Sequence, residues 1–400
     1  MTYFQAVVIA LIQGVTELFP ISSLGHSVLV PAWFGGSWQT LVTQSSTSDS
    51  GSSFYLAYIV ALHCATALAL MWFFRADWIR IIRGLLRSLP ASIRFSLQAR
   101  RLRLSVLDKD ERLAWMIVFA TIPVGLTGVA LEHVFRTLFA KPAAAAVLLS
   151  VNGLILLGAE MLRRSGAKRK QAGSAAGTAR SVRADAAASP AGDIGVSGYP
   201  AASGYGYQAN PAYPVDPGHP DGPSYPGTLA YPGGAPGAAA GLPAAAARGQ
   251  HASHRAPSSG RAAADVAEAE RSDERISRLS YQDAIMIGAA QILALLAGIS
   301  RSGVTMAGGL LRGLDNEDAA RFAFLLATPV ILAAGVLKVP SLAGPAGAHI
   351  HGQVAIGFIV CGIAAYLSVR FLLRWFQTRT LTPFAIYCLA FGILSMLRFI

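Results

Sequence analysis

The chain has 400 residues, 53% of them hydrophobic and 14% charged, with a mean hydropathy of +0.47. Those proportions exclude an ordinary soluble domain and describe a polytopic membrane protein. The formal charge of +12 would suit nucleic acid on a soluble chain, but here the basic residues gather between apolar spans, where they carry topology, so no nucleic-acid partner is expected.

In chain order, the first apolar stretch, 4–20, has neither a basic leader nor a small-residue cleavage site and reads as part of the mature protein. It breaks at a Ser/Gly-rich segment and resumes as a short apolar piece, 27–34, the pattern of a hairpin that enters the membrane and turns back. Stretches long enough to cross a bilayer follow at 54–74, 113–131 and 142–162. The loop expected over 75–112 holds ten Arg or Lys against four acidic residues, and "RRSGAKRK" follows the third crossing. The positive-inside rule puts both on the cytoplasmic side and makes the loops 132–141 and 338–352 external. From about 171 to 270 the composition turns to Ala, Gly, Pro, Ser and Tyr, which cannot bury enough apolar surface to offset ordering entropy, and reads as a disordered cytoplasmic linker. Beyond it come a second broken stretch, 281–297 with 304–311, and crossings at 319–337, 353–375 and 382–399. The expected organisation is therefore a first membrane half (1–165), a linker (166–275) and a second half (276–400). Cys64, Cys361 and Cys388 lie singly in apolar stretches and read as small core residues.

The two halves repeat. An ungapped alignment of "QGVTELFPISSLGHS" (13–27) with "QILALLAGISRSGVT" (291–305) pairs Gln13 with Gln291, Leu18 with Leu296, Ile21 with Ile299, Ser22 with Ser300 and Gly25 with Gly303. Each copy is a broken hairpin followed by three crossings. Three is odd, so the second half is inverted and the hairpins enter from opposite faces, their tips meeting within the membrane. The expected fold is all-α: a helical bundle with an inverted repeat, two re-entrant hairpins and about six full crossings.

Non-helical backbone at membrane depth is tolerated only where protein buries it or it lines a polar cavity. Pro20 and Gly25 break the first hairpin, Gly298 and Gly303 the second. Ser22, Ser23, Ser300, Ser302 and Thr305 would line that cavity, and donors near helix N-termini favour phosphate. Into it the sequence places Glu17, His26 and Arg301. Inserting a charge costs at least about 2.5–3.5 kcal/mol, so such residues carry a functional expectation. Arginine suits phosphate bidentately, a carboxylate suits Mg²⁺ or Ca²⁺, and a hydroxyl beside an imidazole suits nucleophilic attack. Together they specify phosphoryl chemistry.

At these residues the sequence resembles the undecaprenyl-diphosphate phosphatase family, the bacitracin-resistance phosphatases. "QGVTELFPISSLGH" is similar to the family's (E/Q)xxxE plus PxSSxGH signature and "GISRSGVT" to its PGxSRSxxT signature. The similarity continues through "VALHCATALALMWFFRADW", "TIPVGLTGVALE" and "GLDNEDAARFAFLLATPVILAAG". It implies removal of the terminal phosphate from a C55 isoprenyl diphosphate in the bacterial plasma membrane, at a cavity open to the outer face, with bacitracin resistance. It also implies roles: Glu17 as the metal and phosphate-site carboxylate, Ser23 and His26 as hydroxyl and acid/base partner, Arg301 as phosphate clamp. Ser300 and Thr305 would contact the diphosphate. Direct attack by Ser23 and attack by water activated by His26 or Glu17 both fit. Two departures stand out. Gln13 occupies the first position of (E/Q)xxxE, leaving one carboxylate fewer for metal, and Ala297 stands where the family has proline.

Bland readings attach to the rest. His63 reads as a hydrogen-bonded core histidine, Asp315 and Asp318 as the cap and acidic first turn of a helix, Arg321 as an intrahelical partner of that turn. Glu132, His133, His349 and His351 read as solvated. A homodimer is compatible with the sequence. The competing class is a transporter or flippase for a phosphorylated polyprenyl lipid, which would use the same Arg and Ser cradle but needs no hydroxyl beside an imidazole and a carboxylate.

Overall fold

The computed structural model describes residues 1–47, 54–99, 108–130, 141–188, 258–342 and 350–400. The chain divides into two units, Met1–Gly177 with Ser258–Ile400, and Thr178–Pro257; the membrane-crossing segments lie in the first. Among the described residues the regular structure is helical. Each hairpin is two short helices around a break: α1 (Tyr3–Thr16) and α2 (Ser23–Phe34), then, in the second half, α9 (Tyr281–Ala290), a 3₁₀ turn over Gln291–Leu295 and α10 (Arg301–Leu311). Between and after them lie α3 (Gly36–Thr47), α4 (Phe54–Phe73), α5 (Arg75–Ala99), α6 (Lys109–Ala130), α7 (Pro142–Ala188), α8 (Ser258–Ser277), α11 (Asn316–Leu342), α12 (His351–Thr378) and α13 (Thr382–Phe399). Among the described residues five helices are long and apolar enough to cross a membrane, and six if the bent α4–α5 pair counts as one span. The expected crossings fall on α4, α6, α7, α11, α12 and α13.

The first corrections concern polar stretches. The expected loop 75–112 is largely the 25-residue helix α5, bent 85° away from α4. Its composition hid a 3.6-residue period that packs one face on α6: the Trp115 indole donates to Ser88 Oγ at 2.9 Å, and Arg80 reaches Asp110 at 3.1 Å. The linker is also shorter than its composition implies, since helix continues to Ala188 and resumes at Ser258, both in alanine-rich sequence of high helix propensity. Residues 189–257 lie outside the described residues, as do Glu132, His133 and His349. His351 opens α12 and is exposed.

The inner end of α8 is part of the membrane domain. Asp273, 1% exposed, accepts from Arg80 at 2.7 Å and from Arg321 at 2.8 Å, while Arg321 also meets Asp77 at 3.0 Å. Arg321 is thus no intrahelical partner; it ties α11 to α5 and α8. Asp315 does cap the start of α11, accepting from Asp318 N at 2.8 Å, but Asp318 spends its carboxylate on Arg275 and Ser272 of α8.

These ties fix the directions of the helices. The ends of α4 and α12 and the starts of α6, α9, α11 and α13 share one side: Arg112 of α6 donates to Leu279 O before α9, and Asn316 to Arg379 O. The start of α1 lies at the start of α12, where Gln353 donates to Met1 O. The end of α2 meets the end of α13, where Trp33 donates to Ser395. Hence the first hairpin opens to one side and the second to the other.

Candidate active site

Both hairpins turn with the same local device. Ser22 caps α2 by accepting from Gly25 N, and Ser300 caps α10 by accepting from Gly303 N, each at 3.2 Å. Each hydroxyl thus satisfies an orphan donor of its helix N-terminus. The aligned positions of the repeat are therefore the aligned caps, and the first residues of the two helices are Ser23 and Arg301. Ser22 holds φ 68°, a left-handed conformation costing a non-glycine residue of order 1–3 kcal/mol.

The tips are joined directly. Gly298 N donates to Ser22 Oγ at 3.2 Å, and Ser300 and Ser302 donate to Phe19 O at 3.3 and 3.1 Å. Asn152 of α7, fully buried, donates to Pro20 O at 3.1 Å and accepts from Ser300 N at 3.0 Å, so one side chain clasps both breaks. Gly298 at φ 117° leaves no room for a side chain, because a Cβ would lie 2.6 Å from that of Leu148.

Beside this joint sits Glu17, its side chain 2% exposed. One carboxylate oxygen accepts from Ser23 Oγ and, at 2.9 Å, from Gln13 Nε2, and stands 3.4 Å from His63 Nε2. The other lies 3.3 Å from Arg301 Nη2. Arg301 Nη1 and Gln13 Oε1 are buried without a hydrogen-bond partner among the described residues. Glu17, Ser23, Gln13 and Arg301 are thus brought together as the sequence suggests.

The other expected residues go elsewhere. Ser22, Ser300 and Ser302 use their hydroxyls to hold the joint, and Thr305 donates to Arg301 O of its own helix at 2.7 Å. His26 does not turn to Ser23: its Nδ1 meets Ser22 O at 2.7 Å and its Nε2 meets Tyr387 OH at 2.8 Å, with the ring stacked on Tyr387 and Phe391. His63 is hydrogen-bonded, as expected, but its partners include the site. With Nδ1 on Ile59 O at 2.8 Å, it presents Nε2 to Glu17 and to Gln13 at 3.3 Å. Three residues that touch the candidate site escaped the sequence reading. For His63 a signal existed, since it is an ionisable side chain in mid-span; Asn152 and Tyr387 had none that separates them from ordinary helix positions.

Among the described residues no group of three or more His, Cys, Asp or Glu could hold a metal ion. A divalent cation would rest on the Glu17 carboxylate and the unpartnered Gln13 Oε1, with substrate oxygens completing its shell, which is how Mg²⁺ commonly binds phosphates. The oxygens present fit that role.

An apolar cavity of about 780 Å³ adjoins the site. It runs between α1, α2, α12 and α13, from Val8 and Phe34 past Thr16, Ile21 and His26 to Trp375 and Pro383. Phe19 and Phe371, stacked at 5.8 Å, stand in its wall.

Comparison with known proteins agrees in one direction. The family profile described as "Bacitracin resistance protein BacA" matches residues 6–183 and 259–394. "Undecaprenyl-diphosphatase 2" of Frankia alni is 50% identical over 400 residues, spanning all of this chain and 98% of that protein. "Undecaprenyl-diphosphatase" of Mycolicibacterium paratuberculosis is 44% identical over 98% of this chain and 95% of its own, and "Undecaprenyl-diphosphatase 2" of Chromobacterium violaceum 32% over 99% of each.

Proposed function

The chain belongs to the bacitracin resistance protein BacA family, and from that premise we infer that it is an integral membrane phosphatase. It hydrolyses undecaprenyl diphosphate to undecaprenyl phosphate and inorganic phosphate, recycles this lipid carrier for cell-wall synthesis and confers bacitracin resistance. The observation that carries the chemistry is the contact of Ser23 with Glu17, across from Arg301, at two converging helix N-termini.

In the mechanism we propose, Ser23 Oγ attacks the terminal phosphorus while its proton passes to Glu17. The bond from that phosphorus to the bridging oxygen breaks, and undecaprenyl phosphate leaves. Glu17 passes that proton to the departing phosphate and then takes one from the water that attacks the phosphoserine; the phosphorus–Oγ bond breaks and Ser23 Oγ takes the proton back, giving inorganic phosphate and restoring the hydroxyl. Glu17 takes the base role because it receives the Ser23 hydroxyl, whereas His26 faces Tyr387. Arg301, with Nη1 unpartnered, clamps the transferring phosphate. Gln13 and His63 fix the rotamer of Glu17. Glu17 and Gln13 would hold Mg²⁺ or Ca²⁺, which would supply neutralisation of charge on the phosphate oxygens. The apolar cavity takes the prenyl chain, and because it opens between membrane helices the substrate enters from the bilayer. A flippase for the same lipid would need the clamp and the groove but no hydroxyl on a buried carboxylate.

The test is phosphate release from undecaprenyl diphosphate in detergent, with Mg²⁺ or Ca²⁺ and with EDTA, and acid-quench trapping of β-³²P label on protein. Wild type releases phosphate and traps label; Ser23→Ala traps none, and Glu17→Gln falls by about 10²–10⁴-fold, the range of general-base contributions. Turnover by Ser23→Ala at the wild-type rate would transfer the attack to water.

A further inference from the structure

Helix α5 leaves the end of the membrane-crossing α4 at 85°, so it runs along the bilayer surface when α4 runs across it. One face is fully used: Arg80 is held by Asp77, Asp110 and Asp273, Ile81 is buried, and Ser88 meets Trp115. The opposite face has no protein neighbour of this kind among the described residues. Ile79, Ile82 and Leu86 form a stripe at helical spacing, 47%, 46% and 60% exposed, and Arg83 and Arg87 border it on one side, both exposed. Neither of these arginines has an ion-pair or hydrogen-bond partner among the described residues. At the root of the stripe Trp72 is 65% exposed, and the Arg75 guanidinium lies over its ring at 5.2 Å, an aromatic and cationic pair of the kind that marks the headgroup level.

We propose that this face is a lipid-docking surface, with Ile79, Ile82 and Leu86 seated at the acyl boundary and Arg83 and Arg87 binding the phosphates of anionic glycerophospholipids. The reasons are continuity with α4 and charge complementarity. An amphipathic helix with an apolar stripe and basic border binds an anionic interface through both. A soluble protein partner would have to cover a surface already level with the headgroups. Arg83 and Arg87 are four residues apart, one turn, so the two guanidiniums address one headgroup or two adjacent ones. The proposal concerns a surface remote from Glu17 and stands whatever the hydrolytic site does.

The test titrates delipidated full-length protein with phosphatidylglycerol or phosphatidylcholine and counts bound lipids by native mass spectrometry. Each arginine near a surface contributes about fivefold, so with two of them wild type should prefer phosphatidylglycerol by roughly 25-fold. Arg83→Gln/Arg87→Gln should bind both lipids alike, Arg83→Lys/Arg87→Lys should keep the preference, and Arg398→Gln, at the opposite end of the bundle, should leave it unchanged. Absence of a preference in wild type, or its survival in the double glutamine variant, would overturn the proposal. Should that variant not fold, raising ammonium acetate decides with wild type alone: the preference falls with ionic strength, and a preference insensitive to salt refutes the assignment.

Discussion

Replacing Asn152 should damage both stability and turnover, although this side chain touches no reacting group. It donates to Pro20 O at 3.1 Å and to Cys388 Sγ at 3.4 Å and accepts from Ser300 N at 3.0 Å, in a fully buried position. Asn152→Ala removes all three, leaving the buried Pro20 carbonyl only the weak thiol donor of Cys388 at 3.8 Å and stranding the Ser300 N–H, two losses of about 1–3 kcal/mol each. The sum, roughly 2–6 kcal/mol, is large for one residue. Asn152→Asp separates the two, since a carboxylate still accepts from Ser300 N but sets oxygen against Pro20 O. Ser300 is followed by Arg301, so loosening the clasp moves the clamp relative to Glu17, and a displacement of about 1 Å can cost on the order of 10²-fold in rate. Thermal unfolding in detergent and kcat of the folded fraction measure the two effects. The expected order in both is wild type, then Asn152→Asp, then Asn152→Ala. An alanine variant with wild-type melting and kcat would refute the clasp.

Gln13→Leu removes the unpartnered Oε1 and should weaken Ca²⁺ binding in isothermal titration calorimetry; unaltered affinity would take Gln13 out of the cation site. Tyr387→Phe deletes the hydrogen bond to His26 Nε2 while keeping the stacked ring, a loss of about 1 kcal/mol, and should change kcat/KM by no more than roughly tenfold. Asp273→Asn takes one charge from a buried cluster with Arg80 and Arg321. Breaking such a cluster costs about 3–5 kcal/mol, so melting should drop while kcat of the folded fraction holds.

The spans and both hairpin breaks were readable because apolar length and the Pro20, Gly25, Gly298 and Gly303 interruptions are local signals. The repeat aligned Ser22 with Ser300, but their use as helix caps, rather than as cavity lining, is visible only in the structure. What failed was direction. Ser23 and His26 sit three positions apart, which on a helix makes them neighbours, yet the α2 start turns Ser23 to Glu17, while His26 bonds back to Ser22 O and outward to Tyr387. His63 has apolar neighbours on both sides in sequence, so nothing local says which face of α4 it occupies. Helix α5 was hidden by its arginines, because a segment bordering lipid headgroups mixes charge with apolar period.

The joint between hairpins has a consequence for biogenesis. Ser22 and its partner Gly298 are 276 residues apart. At about 5–20 residues per second of synthesis, the first hairpin waits from roughly a quarter of a minute to nearly a minute before its other half exists. Throughout that interval Glu17 lacks Arg301 and Phe19 O lacks Ser300 and Ser302, while Pro20 O waits only for Asn152. The nascent half is therefore a client for whatever in the membrane shelters polar backbone, and the chemistry of the site switches on only when the last part of the chain is inserted.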